Sequence, residues 1–260
     1  MKKWHTQLET PAQAEKPPMT LAESSPFHPV RRPVYPRLTI LDDGSDDQGE
    51  TIRIRSDSLT IGRIDCDLSF PAESLMSAKH AKISLIQSAT SKWCWTIEDL
   101  GSRHGVYLRL PEFPLYPGNQ FLVGGTKLLV HGDAAIAQDL SSPLSTYEPY
   151  FAASQSVRKG PELEVRAYIF SQEPATLPLH GKKMSLGRSA CGETAFACDP
   201  FVEPVHALLA RKEPHVWTVR DNHSLNGIWL RVTRAIIADA LQIQLGEQRF
   251  CIAFNNSNSH

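Results

Sequence analysis

The chain lacks most of what would mark a membrane, secreted or nucleic-acid-binding protein. No run approaches the roughly 18 consecutive apolar residues of a spanning helix, so no membrane insertion is expected. The stretch MKKWHTQLET at the start has two lysines but no apolar segment behind them, which is not the grammar of a secretory signal. The five cysteines (66, 94, 191, 198 and 251) are odd in number and form no CxxC pair, so a reduced, cytoplasmic setting is expected. Cys191, Cys198 and His206 match no common zinc spacing and lack a fourth ligand, so they read as buried or loop groups and no metal is expected. Charge of one sign is also missing. With 27 Lys and Arg against 28 Asp and Glu, the net charge is −1, whereas a general nucleic-acid binder needs a strong positive excess. The local basic run RRPVYPR (31–37) reads as solvated linker charge. Catalytic signatures are lacking too: there is no GxxxxGK[ST], no HExxH and no paired-carboxylate constellation, so neither enzyme nor cofactor is expected.

What is present is enough material for two ordinary domains or one large one. A chain of 260 residues, 41% hydrophobic and 21% charged, has apolar material for real cores. Residues 1–36 stand apart: prolines at 11, 17, 18, 26, 29, 33 and 36 deny them helix and sheet continuity, which predicts an extended or disordered arm. A second polar stretch, 134–162, reads as a linker, and 256–260 as a tail. Between these lie short β-type runs: RLTILDD, TIRIRSD, LTIGR, HAKISLI, WCWTIEDL, GVYLRL, FLVGG and KLLVHG, then LEVRAYIF, KMSLGR, HALLARK, VWTVRD, GIWLRV, LQIQLG and RFCIAF. Period-two alternation is clear at Trp93, Trp95 and Ile97 and at Val106, Leu108 and Leu110, and no helical period is sustained anywhere. Many short strands at close spacing predict an all-β sandwich or barrel architecture. Trp93, Trp95 and Trp217 are expected to pack in the core and on the sheet faces, because a nucleic-acid stacking platform would want basic neighbours.

The two halves repeat one another. Gly62-Arg63 recurs as Gly187-Arg188, each closing an apolar strand, and His80-Ala81 recurs as His206-Ala207, each opening one. Trp95-Thr-Ile-Glu-Asp99 recurs as Trp217-Thr-Val-Arg-Asp221, followed at the same offset by Ser102-x-x-Gly105 and Ser224-x-x-Gly227. Four landmarks in one order at matching intervals indicate a tandem duplication.

This ordered set resembles the forkhead-associated (FHA) domain family. The first copy offers IGR (61–63), SAKH (77–80), WTIEDLGSRHG (95–105) and LYPGNQFLVGGTKLLV (115–130). The second offers LGR (186–188), EPVH (203–206), WTVRDNHSLNG (217–227) and a weaker ADALQIQLGEQRFCI (238–252). The resemblance implies two FHA-type β-sandwiches in tandem, at 37–133 and 163–255, whose end loops bind phosphothreonine in a partner without catalysis.

The resemblance also assigns roles. A phosphothreonine brings about −1.5 to −2 charges and three acceptor oxygens, so its site needs rigid donors and positive charge. In the first copy Arg63 would hold the phosphate and Ser77 would donate to it. Lys79 and Arg103 would steer it, and His104, standing where the family has Asn, would contact the peptide backbone. His80 would brace the loops, with Gly62 and Gly105 as motif glycines. Two readings of His104 stand: a rim residue of the binding surface, or a turn histidine that touches nothing.

In the second copy Gly187, Arg188, His206, Asn226 and Gly227 keep the pattern, but Glu203 replaces the phosphate-binding serine. Peptide binding at ~1 μM represents only ~8 kcal/mol. One carboxylate ~4 Å from one phosphate charge costs ~4 kcal/mol at an effective dielectric of ~20, and the phosphate carries nearly two charges. The second copy is therefore expected to be phosphate-blind, with Glu203 paired to Arg188. A non-catalytic adaptor follows: the first copy reads a phosphorylated protein, such as a Ser/Thr kinase substrate, and the second serves as a phosphate-independent module. The alternative is a structural subunit of a larger assembly, such as a secretion or scaffolding complex, using both domains without phosphate. Thr6, Thr10 and Thr20 in the arm are candidate sites for an internal switch; the competing reading is a docking arm that orders against a partner.

Overall fold

The computed structural model describes residues 34–41, 48–87, 91–132, 146–152, 163–168, 174–189, 196, 198–213 and 216–254. Residues 1–33 with Thr6, Thr10 and Thr20, most of 134–162, Cys191 and the tail lie outside the described residues. Nineteen strands are found among those described. The first copy supplies β1 (Arg37–Leu41), β2 (Gln48–Arg53), β3 (Ser58–Gly62), β4 (Leu68–Ser69), β5 (Ala81–Gln87), β6 (Trp93–Asp99), β7 (Val106–Arg109), β8 (Glu112–Leu115), β9 (Gln120–Val123) and β10 (Thr126–His131). A short β11 (Tyr147–Pro149) falls in the stretch read as a linker. The second copy supplies β12 (Glu164–Tyr168), β13 (Ala175–Pro178), β14 (Lys183–Leu186), β15 (Ala207–Glu213), β16 (Val216–Asp221), β17 (Ile228–Ile237), β18 (Leu241–Leu245) and β19 (Gln248–Ala253).

The strands do not pair copy by copy. A ten-strand path runs β13-β12-β10-β9-β17-β7-β18-β19-β1-β2 and so alternates between the two halves of the sequence. Its centre is the antiparallel pair β7 and β17, in which Leu108 faces its own counterpart Leu230. On one side β9 and β10 of the first copy join β17 and β12 of the second. On the other side β18 and β19 of the second copy join β7 and β1 of the first. The remaining strands follow the same rule. Sheet β14-β15-β16-β8 takes its last strand from the first copy, with Trp217 opposite Leu115. In the branch β4-β3-β5-β6 of the long sheet, the C-terminal half of β17 pairs with β6, setting Trp95 opposite Ile237. Each sandwich is thus built from one copy's strands up to the central pair plus the other copy's last three strand segments. The sandwich is present twice, with its C-terminal strands exchanged. Linear limits at 37–133 and 163–255 describe the sequence repeat; the strand pairings cross them.

The exchange is held by packing. From the first copy's exchanged segment, Phe113, Leu115, Phe121, Val123, Leu128 and Val130 are all buried. Phe113 of the four-stranded sheet meets Phe121 of the long sheet edge to face at 5.7 Å, closing the sandwich between them. Burying each such side chain is worth about 1.5–3 kcal/mol, so the segment contributes as much as the ~5–15 kcal/mol net stability of a whole domain. Neither half retains a complete core alone, which is why Val34–His260 forms one compact unit.

Several elements escaped the sequence reading because proline or length disguised them. β8 contains Pro114 and is an edge strand, pairing only with β16, where a missing N–H is tolerated. β11 contains Pro149 and lies along β17. The run GIWLRV continues through Thr233 to Ile237 as one ten-residue strand passing from one sandwich to the other. Trp95 and Trp217 are buried as expected, whereas Trp93 is 59% exposed at the start of β6.

Candidate functional site

Three loops of the first copy meet at one end of its sandwich: Arg63 after β3, Ser77–His80 before β5, and Leu100–Gly105 between β6 and β7. Backbone bonds zip the first two together, Arg63 N–H to Ser77 O at 2.9 Å and Ile64 N–H to Ala78 O at 3.2 Å. The third is a self-bonded turn, with Ser102 N–H on Asp99 Oδ1 (2.8 Å) and Gly105 N–H on Ser102 Oγ (2.9 Å). Buried His80 ties the loops together. Its Nδ1 accepts the Ser77 N–H at 3.1 Å, which leaves Nε2 to donate to Gly105 O at 2.9 Å. Burial pushes the His80 pKa below its ordinary value, against the opposing pull of that carbonyl bond and of Asp99.

The assembled surface is rich in donors. Ser77 Oγ accepts the Arg103 N–H at 3.0 Å, and its own hydroxyl proton has no acceptor among the described residues. Arg63 is half-buried, and its buried Nε has no partner among the described residues. Lys79 and Arg103 are exposed on the same loops, and His104 is partly buried beside them. Burial first, and then the charges of Lys127, Arg103, His80 and Arg231, hold the His104 pKa below its ordinary value. The loops therefore bring Arg63, Ser77, Lys79, Arg103 and His104 to one end of the sandwich.

The second copy repeats the scaffold and alters the chemistry. Arg188 N–H bonds to Glu203 O and Ser189 N–H to Pro204 O, both at 3.0 Å. His206 takes the Glu203 N–H on Nδ1 (3.2 Å) and reaches Gly227 O from Nε2 (2.9 Å). Glu203 differs from the sequence expectation: no ion pair joins it to Arg188 among the described residues. Its Oε1 accepts the Leu225 N–H at 2.7 Å, the amide matching the one that Ser77 holds in the first copy. A carboxylate, two bonds longer than a hydroxyl, reaches the same amide with one of its oxygens. Asn226 is also committed inward, donating to Phe201 O at 3.0 Å and accepting from Arg249 Nη1 at 3.3 Å. Around these groups Phe201 (56%), Val205 (36%) and Leu225 (80%) are exposed, with Val205 and Leu225 standing where the first copy has Lys79 and Arg103.

Two arginines missing from the sequence reading lock both sites. Arg231, on the second copy's strand, donates from Nη2 to Ser102 O (3.3 Å) and from Nη1 to Gln120 Oε1 (2.8 Å), with Tyr150 stacked at 3.8 Å from its guanidinium carbon. Its counterpart Arg109 donates to Leu225 O (3.0 Å), Ser224 O (3.3 Å) and Gln242 Oε1 (3.0 Å). Gly105 (φ 90°) and Gly227 (φ 68°) each turn through left-handed backbone, and a Cβ on either would run into the crossing arginine's Nε. The sequence signal was available: Arg109 and Arg231 lie at the same distance after Gly105 and Gly227.

The FHA domain family model matches residues 59–124 and 184–246, and the chain is a tandem FHA-domain protein. The FHA domain is a phosphothreonine-binding protein-interaction module. Among solved structures, full-length yeast Pml1p is similar at 20% identity over 29% of this chain and 58% of that chain, with a TM-score of 0.26. A structure from a study of phosphothreonine-dependent FHA domain interactions is similar at 25% identity over 36% of this chain and 93% of that one, with a TM-score of 0.23. This chain thus spans just over half the length of Pml1p. No curated protein matches significantly. No helix among the described residues is long and apolar enough to cross a membrane.

Proposed function

We propose that the chain is an adaptor whose first FHA copy binds a phosphothreonine segment of a partner protein, while the second copy binds protein without phosphate. The observation that carries the reading is Arg63. A half-buried guanidinium whose buried Nε has no partner among the described residues, on a loop bonded to that of Ser77 with its spare hydroxyl proton, is a donor set suited to an anion. Lys79 and Arg103 add charge that draws phosphate in, and His104 lies where the bound backbone would pass. In the second copy a carboxylate takes the serine's place and apolar side chains take the place of the cations. That supports an apolar, uncharged contact there and opposes a phosphate.

The test is binding of a degenerate phosphothreonine peptide pool to the full chain, to Arg63→Ala and to Arg188→Ala. Loss of binding in Arg63→Ala with retention in Arg188→Ala is the expected result. No binding by the unaltered chain, or binding that survives both phosphatase and Arg63→Ala, would replace this reading by the assembly-subunit one.

A further inference from the structure

Lys127 and Arg249 are counterparts on the exchanged hairpins β9–β10 and β18–β19, and they meet unlike neighbours. Arg249 bonds Asn226 Oδ1 at 3.3 Å and lies 5.2 Å from the Trp229 ring centre, so the second copy closes this spot with its own donor and acceptor. At the equivalent spot His104 replaces the asparagine.

The sheet register places Lys127. It is opposite Leu122, and Leu122 is opposite Trp229, so all three project from the face of the long sheet that carries Gln120 and Arg231. Arg231 on that face holds Ser102 O, directly beneath the turn that carries Arg103 and His104. Lys127 is half-buried and has no hydrogen-bond or ion-pair partner among the described residues. The cations gathered there are Lys127, Arg231, Arg103 and, when protonated, His104. Against them stands the Asp99 carboxylate, already 3.9 Å from Arg231. Burial and the Arg231 charge hold the Lys127 pKa below its ordinary value, as expected for a cation lacking its counter-charge.

We infer that the surface between His104 and Lys127, brought together across the two sandwiches by the strand exchange, is a second anion subsite. It takes an acidic group of the same peptide, a carboxylate or a second phosphate, beside the phosphothreonine held by Arg63 and Ser77. This rests on the phosphothreonine reading above. The anion supplies the acceptor that Asn226 supplies in the other copy.

The test uses the full chain and phosphothreonine peptides carrying Asp, Asn or phosphoserine at each position from three before to four after the phosphothreonine. At one position Asp is expected to bind roughly fivefold tighter than Asn, the worth of a charge-assisted contact. A phosphoserine preference over Asp there would assign the source as a second phosphate. The advantage disappears in Lys127→Gln and persists in Lys127→Arg, with circular dichroism confirming that both are folded. Equal affinity of Asp and Asn peptides at every position, with Arg63→Ala still abolishing binding, overturns the subsite and leaves the phosphothreonine reading intact. If no peptide binds, the phosphothreonine reading falls, and sulfate titration followed on the His104 ring resonances decides the subsite. A saturable shift that Lys127→Gln removes supports it, and no shift in the unaltered chain overturns it.

Discussion

Arg231 lies against Gly105, its Nε filling the space a Cβ on that glycine would need, although the two residues come from different repeats. The Asp99–Gly105 turn of the first copy is shaped by a side chain that the second copy sends across the central strand pair. Arg109 does the same for Gly227. Each turn therefore depends on the other copy for its backbone geometry.

Substituting Gly105→Ala should destabilise the protein by about 2–4 kcal/mol, because φ of 90° strains any L side chain and the new methyl displaces Arg231. Urea denaturation measures it. In a double-mutant cycle, Arg231→Ala should recover part of the loss, the steric part, and leave the backbone strain. Simple addition of the two single effects would mean that the contact does not matter.

A chain nicked between the repeats should stay together. With an engineered protease site at residues 153–162, the two fragments are expected to co-elute on size exclusion and to part only in denaturant, since each sandwich contains strands of both. Fragments that separate in native buffer would disprove the exchange.

Stability should fall as the solution is acidified through the histidine range. The folded-state pKa of buried His80 is depressed below the ordinary ~6.5, so between the two values the unfolded chain binds more protons. The contribution is complete above ~6.5 and is lost below it, with a limiting slope near 1.4 kcal/mol per pH unit. His104 and His131 shift in the same direction and, being more accessible, add less. Asp67, held low chiefly by the Thr60 hydroxyl, acts only in the more acidic carboxylate range. Urea midpoints between pH 7.5 and 5.5, with the His80 ring followed by NMR, check this. A flat profile, or a His80 ring that titrates at its ordinary value, refutes it.

Glu203→Ser in an Arg63→Ala background should not create a phosphopeptide site in the second copy. Asn226 remains bonded to Phe201 O and Arg249, and Leu225 still stands where the first copy has Arg103. Calorimetry should find no binding tighter than ~100 μM, about 5.5 kcal/mol. Recovery of micromolar binding would show that Glu203 alone silences the copy.

The duplication, the β class and the positions of Arg63, Ser77, His80, Glu203 and His206 were legible in the residues. Strand alternation has a period of two, and loop motifs are spelled by neighbours in sequence, so both are local properties. The apolar alternation of LTIGR or GVYLRL needs no knowledge of a partner strand. What only the tertiary structure decided is which copy completes which sandwich. Glu112–Leu115 and Arg234–Ile237 are counterparts, and a Trp-bearing strand of either copy offers each an edge to pair with, so the pattern of each segment is satisfied by either choice. The choice made at the Leu108–Leu230 crossing brings Arg231 under Gly105 and Lys127 onto the face beside His104, contacts between residues far apart in the chain that no local spacing encodes. Packing of both halves into one core selected among pairings that the sequence pattern leaves equivalent.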